Sequence, residues 1–153
     1  GACGVTCAKL GEAEVMAAAG IRDLLITGPV VGASKVARLA QLRRTADPIA
    51  VVDHPDHVRQ LSAAATQAGV TLRTMIEVDL GMKRCGVAPG EEVVELGRLI
   101  ARTPGIELAG IMGWEGHLLT LADHQDKVDK IQARLDRLQE PRRRDGPGVD
   151  LGR

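Results

Sequence analysis

The feature that most limits what this chain can become is an alternation repeated five times: a short apolar strand-like run, then a stretch with apolar residues at helical spacing, then a turn signal. This rhythm belongs to parallel β/α architecture, because a parallel neighbour can be reached only through a crossover, usually a helix. The first unit is Gly4 to Lys9 (GVTCAK) followed by LGEAEVMAAAG, where Leu10, Ala13 and Ala17 share a helix face and Gly20 supplies the stop. The second opens with DLLITG from Asp23. Its helix, over about Ser34 to Thr45, turns Val36, Leu39 and Ala40 inward and is expected to hold Arg43 and Arg44 in a last turn whose dipole favours cations. The third, Ile49 to Asp53 (IAVVD), precedes a helix that begins at Pro55, carries Val58, Leu61, Ala65 and Ala68 inward, and stops at Gly69.

The fourth unit runs from Met75 to Asp79 (MIEVD) through a glycine-rich connection to a helix from about Pro89 with Val93, Leu96 and Ile100 on one side. The fifth is Ile106 to Gly113 (IELAGIMG), and its helix sets Val128, Ile131, Leu135 and Leu138 along one seam. After Glu140 the pattern collapses. Residues 141–153 (PRRRDGPGVDLGR) carry proline, glycine and charge with little to bury, so a disordered tail is expected, with a short basic RNA-binding arm as the functional alternative.

Five parallel strands permit two architectures. An open five-stranded doubly wound sheet of flavodoxin type would be complete at 153 residues, whereas a closed (β/α)8 TIM barrel needs eight strands and about 250 residues. A doubly wound nucleotide-binding domain would carry a glycine-rich phosphate loop. The nearest approach, GPVVGAS at Gly28 to Ser34, matches neither the G-x-G-x-x-G nor the P-loop pattern. On the barrel reading, Ile26, Val52 and Ile76 are expected to point into the barrel and pack in layers there.

Composition narrows the partners. An apolar content of 44% supports one core, and twenty basic residues balanced by twenty acidic ones leave no field to gather nucleic acid or an anionic membrane. Trp114 stands without any Phe or Tyr, so the stacking platforms of single-stranded nucleic-acid binders are missing. Small polar substrates, or association with further copies or segments of the same protein, are the expected partners. Cys3, Cys7 and Cys85 form no C-x-x-C pair, so neither a disulfide framework nor a four-ligand zinc site follows from them. No apolar run approaches the roughly 20 residues of a membrane span and no charged-then-apolar leader opens the chain, so a cytoplasmic location is expected. The chain begins at Gly1 rather than methionine, as a fragment or a processed product would.

In both architectures reactive groups gather at the C-terminal ends of the strands, which singles out Lys9, Asp53, His54, Glu77, Asp79, Arg84, Glu115 and His117. The segment Glu77 to Val87 (EVDLGMKRCGV) puts two carboxylates at alternate strand positions, then a glycine turn, then Arg84. That arginine can meet a carboxylate, phosphate or ring oxygen through paired hydrogen bonds, or simply close an ion pair with Asp79; spacing alone does not separate the two. In Gly113 to Leu118 (GWEGHL), glycines allow close approach to a ligand, and His117 reads as a general base, as a residue lying against a ring, or as a structural histidine. Asp53 to His57 (DHPDH) has the look of half a metal site. With no third ligand evident, it reads better as a helix start capped by Asp53.

Taken together, GVTCAKLGEAEVMAAAGI, VDLGMKRCGVAPGE and GIMGWEGHL resemble the alanine racemase N-terminal-type barrel of fold-type III pyridoxal phosphate enzymes, and within it the D-threonine aldolase and D-serine dehydratase branch. The resemblance covers Gly1 to about Leu121 and implies a partial barrel over residues 1–140 that contains the second to sixth strands. It implies pyridoxal 5'-phosphate as cofactor and, in the full-length family, a divalent metal whose ligands lie outside this stretch. The implied reaction is a carbon–carbon lyase step that splits D-3-hydroxy amino acids into glycine and an aldehyde, with D-serine dehydration or racemisation as close alternatives. A non-catalytic α/β module that binds a partner through the same face is the alternative of another kind. By position, Arg84 matches the arginine that contacts the cofactor, His117 lies in the loop that supplies its neighbour and candidate base, and Trp114 stands where this branch often has tyrosine. The family's cofactor-bearing lysine belongs to a strand before Gly1 and Lys9 does not replace it, so the isolated chain is expected to be incomplete and inactive.

Overall fold

The computed structural model describes the backbone of residues 1–144 and the side chains of residues 1–137. Five strands, β1 (Val5–Cys7), β2 (Asp23–Ile26), β3 (Asp47–Val52), β4 (Leu72–Val78) and β5 (Ile106–Gly113), alternate with five helices. The helices are α1 (Leu10–Ala18), α2 (Ala33–Leu42), α3 (Pro55–Ala68), α4 (Glu91–Ala101) and α5 (His124–Arg144). All strand pairs are parallel and the sheet order is β1-β2-β3-β4-β5. That order separates the two architectures. A doubly wound sheet reverses direction at a switch point and puts helices on both faces, whereas here each strand adds to the same side and each helix touches the next. The winding is that of a barrel, and the sheet among the described residues is open.

The local signals explain the elements. In α3, Pro55 occupies the first turn, where its missing N–H costs nothing. The His54 ring Nδ1 accepts from the Asp56 N–H at 3.1 Å, and Gly69 ends the helix in the left-handed region at φ 66. The expected cap, Asp53, is therefore replaced by the next residue. Arg43 and Arg44 also differ from expectation. They fall just beyond α2 and reach across to the end of α3, where Arg43 Nε donates to Thr71 O at 2.9 Å and Arg44 to Ala68 O at 2.7 Å. Orphan carbonyls of the neighbouring helix terminus and loop compete successfully with the dipole of their own helix.

The core lies between the sheet and its single layer of helices. Leu24, Ile26, Val52, Leu72, Ile76 and Val78 from the strands pack against Val36, Leu39, Val58, Leu61, Val93, Leu96 and Ile100 from the helices. Ile26, Val52 and Ile76 thus face the helices, not the barrel interior assigned to them from the barrel reading. These strands carry apolar residues on both sides, so the sequence holds no marker of parity, and a phase difference of one residue exchanges the two faces. The alternate positions, among them Leu25, Val51, Met75 and Glu77, belong to the inner face. Between Thr74 and Met75 the pairing with β5 shifts by one residue at Ala109, a bulge eased by Gly110. Beyond it, Glu77 lies beside Met112 and Val78 beside Gly113.

The seam expected on α5 is present but poorly covered, with Val128 and Leu135 exposed and Ile131 half-buried. Leu138 lies outside the described side chains. The helix continues through Pro141 to Arg144, past the boundary drawn at Glu140, and residues 145–153 lie outside the described ones. Among the described residues no helix is long and apolar enough to cross a membrane.

Candidate active site

The loop after β4 is built by side chains that hold its backbone. Asp79 Oδ1 accepts from Gly81 N at 2.8 Å and Lys83 N at 3.0 Å, closing a tight turn. Partial burial alone would raise this carboxyl, but the N–H groups of Lys83, Gly81 and Met82 outweigh that and hold it below the usual range. Lys83 adopts a left-handed φ of 54, and the chain then returns beside β4, with Val87 N donating to Glu77 O and Asp79 N to Val87 O, each at 2.9 Å. Gly86, at φ 106, lies so close to β4 that a Cβ would meet Asp79 N at 2.6 Å. Asp53 Oδ2 accepts from Gly86 N at 3.1 Å, so the end of β3 anchors the same loop.

This loop and the end of β5 enclose a cleft at the C-terminal edge of the sheet, lined by Glu77, Asp79, Met82, Arg84, Cys85 and Trp114. The ion pair weighed between Arg84 and Asp79 does not form, because Asp79 is committed to its own turn. Arg84 instead faces Glu77, with NH2 4.0 Å from Oε1, while its side chain is 56% exposed. The Cys85 thiol donates to Glu77 Oε1 at 3.2 Å. Burial, and then Glu77, push that thiol up against the opposing influence of Arg84, leaving it a neutral donor. Trp114 is 49% exposed, and its indole folds back against Gly116, where a Cβ would meet Nε1 at 2.3 Å.

The other candidates scatter. His117 lies in a short helical turn, Gly116–Leu118, behind Gly81 and next to Arg134 of α5, and it does not line the cleft. Both its ring nitrogens are buried without a partner among the described residues. Glu115 precedes that turn and is half-buried. Lys9 is exposed at the start of α1 on the far edge of the sheet. His54 caps α3, and His57 is buried with Nε2 2.9 Å from Val30 O, so DHPDH is structural. Among the described residues no three of His, Cys, Asp and Glu gather as a metal site. No spacing rule ties Cys85 to Glu77 or Arg134 to His117, so the sequence carries no signal for either.

The arrangement offers a cation and a planar indole at one open cleft at strand ends, which is what a flat, anionic, aromatic ligand requires. The chain matches the family described as alanine racemase, N-terminal domain, over residues 1–147. The chain belongs to that family. Among the family's curated members it is 36% identical, over 92% of its length, to the 3-hydroxy-D-aspartate aldolase of Paracoccus denitrificans (strain Pd 1222), and 36% identical, over 84%, to the D-threonine aldolase of an Arthrobacter species. Its structure superposes on the D-threonine aldolase of Filomicrobium marinum with a TM-score of 0.87 at 38% identity, covering 90% of this chain and 37% of that one. It superposes on the D-threo-3-hydroxyaspartate dehydratase of Delftia sp. HT23 with 0.78 at 25%, covering 94% and 39%. The alanine racemase-type chain described here spans 36% and 34% of the two curated relatives' lengths. These relatives are lyases of the fold-type III pyridoxal phosphate class.

Proposed function

We propose that this chain supplies one wall of a pyridoxal phosphate site in a lyase that splits D-3-hydroxy amino acids of the D-threonine type into glycine and an aldehyde. The observation that carries the reading is the cleft itself: Arg84 and Trp114 stand together at the strand ends, in a chain most similar to aldolases among the relatives described. The residues fit the cofactor's ring and its anionic oxygens. No lysine is among those lining the cleft, so covalent attachment is not part of this wall. When bound, the pyridine ring acts as the sink for the electron pair released at Cα as the Cα–Cβ bond breaks.

Arg84, permanently cationic and open to solvent, binds and orients an anionic ring oxygen. Trp114 covers one side of the ligand and excludes water from it, although an indole in place of the branch's frequent tyrosine offers N–H rather than hydroxyl chemistry. His117, whose nitrogens have no partner among the described residues, is the group assigned to take the proton of the substrate's 3-hydroxyl. Reaching the cleft from behind Gly81 requires that loop to move. Dehydration is the second reading, supported by the likeness to the Delftia dehydratase at lower identity.

The test grafts this chain in place of the matching segment of the Arthrobacter D-threonine aldolase. Glycine and acetaldehyde formed from D-threonine support the reading, and pyruvate from D-serine or ammonia from 3-hydroxyaspartate without glycine supports dehydration. In the graft, Arg84→Ala is expected to lower cofactor retention or turnover by about ten-fold or more while leaving the unfolding midpoint nearly unchanged. Parallel loss of folding and activity would return Arg84 to a structural ion pair.

A further inference from the structure

The loop after β4 is held firmly at its far end and lightly at its crown. At the far end the Cys85 thiol is tied to Glu77, and Gly86 N donates to Asp53 Oδ2 at 3.1 Å. The crown, residues 81–83, is exposed, and its backbone is held by the one carboxylate of Asp79, through Gly81 N at 2.8 Å and Lys83 N at 3.0 Å. Its turn passes through φ 109 at Gly81 and φ 54 at Lys83, conformations that ordinary residues avoid. A segment with so few buried contacts, hung on one side chain, belongs to the low-stability end of a fold.

This crown is also a partition. On one side of it lies the cleft, which Met82 lines. On the other, His117 and Arg134 both come up against Gly81: a Cβ there would lie 3.5 Å from His117 Nε2 and 3.2 Å from Arg134 NH2. The guanidinium thus rests in the room that a glycine leaves. Both ring nitrogens of His117 and Arg134 Nε are buried with no partner among the described residues. Every such atom carries a desolvation cost, so three of them behind one thin segment mark a closed packing held by shape and not by hydrogen bonds. While it is closed, His117 has no path to the cleft.

We propose that residues 81–83 form a door between the cleft and His117, and that Arg134, resting against Gly81 from α5, is the latch that keeps it shut. Arg134 does not line the cleft and acts through the loop. The latch stands on the packing of this chain, whereas its use, timing the access of His117 to a substrate hydroxyl, rests on the lyase reading above.

The test reads the accessibility of His117 directly. The full chain is treated briefly with diethyl pyrocarbonate, which acylates accessible imidazoles, and the four histidines are followed by peptide mapping. Exposed His54 and His124 and buried His57 serve as fast and slow references in the same sample. In the wild type His117 is expected to react at least about ten-fold more slowly than His54. Arg134→Ala should bring it within about three-fold of His54 and speed amide hydrogen exchange at Gly81 and Lys83, with the unfolding midpoint and exchange along α5 nearly unchanged. Leu135→Ala, on the same helix but away from Gly81, should leave the labelling of His117 as it is. His117 reacting as fast as His54 in the wild type, reacting no faster after Arg134→Ala, or reacting faster only when exchange speeds along the whole of α5 would each overturn the latch. If the labelling behaves as expected and the graft into the Arthrobacter aldolase yields no glycine, the lyase reading falls and the latch stands.

Discussion

At Gly86 the backbone turns through φ 106 with Asp79 N and Val78 C lying 2.6 Å and 2.8 Å from where a Cβ would sit, so even alanine has no room. Gly86→Ala is expected to cost more than about 2 kcal/mol by denaturant unfolding, because conformational strain and a backbone clash add. His57 makes a different demand. Burial pulls its pKa down from 6.5 despite the bond to the Val30 carbonyl, so the unfolded chain takes up a proton more readily than the folded one. Stability should therefore be complete above the unfolded value and fall as pH drops through about 6.5 toward the depressed folded value. Unfolding midpoints measured at intervals across that window should decline for the wild type and stay flatter for His57→Gln. Lys9, finally, is exposed at the start of α1, just past β1, and β1 lies three strand spacings or about 14 Å from β4. Borohydride reduction with pyridoxal phosphate, followed by peptide mapping, should show no stoichiometric label at Lys9.

Among the elements, α3 and α5 have similar-looking apolar seams and opposite fates. Leu61 of α3 is fully buried in the core, whereas Leu135 of α5 is 37% exposed. Leu61→Ala should cost about 2 to 5 kcal/mol and Leu135→Ala no more than about 0.5, read from the same unfolding curves. Periodicity told where each helix lies because the apolar residues recur at 3.6, but not whether a partner covers them, which depends on tertiary contacts. Strand order was legible to the same extent. Alternation required parallel pairing, yet the faces of β2, β3 and β4 were exchanged because each strand carries apolar residues on both sides and parity then has no marker. In the cleft, Arg84 and Trp114 were visible as strand-end residues. Glu77's true partner was not, since Asp79 looks equivalent two residues on until its side chain is seen to bind Gly81 and Lys83. Cys85 could be found only once Gly86 was seen to bend the loop back.

The whole molecule is a curved section of wall with two sides treated unequally. Its helical side is closed by a continuous core, while β1 and β5 each have one edge unpaired among the described residues. Parallel edges of this kind are templates for pairing with other chains. Sedimentation of the purified chain should show self-association, relieved when the barrel is completed by grafting. A monodisperse monomer that unfolds cooperatively would show instead that the sheet is sufficient as it stands. The edges also bear on the β4–β5 bulge. Up to Leu108 the even-numbered residues of β5 lie on the helical side, and from Ile111 onward the odd-numbered ones do. Ala109 therefore works as a phase marker. Because Ala109 is the supernumerary residue, a chain lacking it would keep Leu108 opposite Thr74 and Gly110 opposite Met75 with both stretches still in phase with β4, whereas loss of one residue between Gly110 and Gly113 would turn the Trp114 indole toward the helical side and a glycine toward the cofactor wall. For that stretch the count of residues carries information that their identities do not, so a deletion there rewrites the site more thoroughly than any substitution.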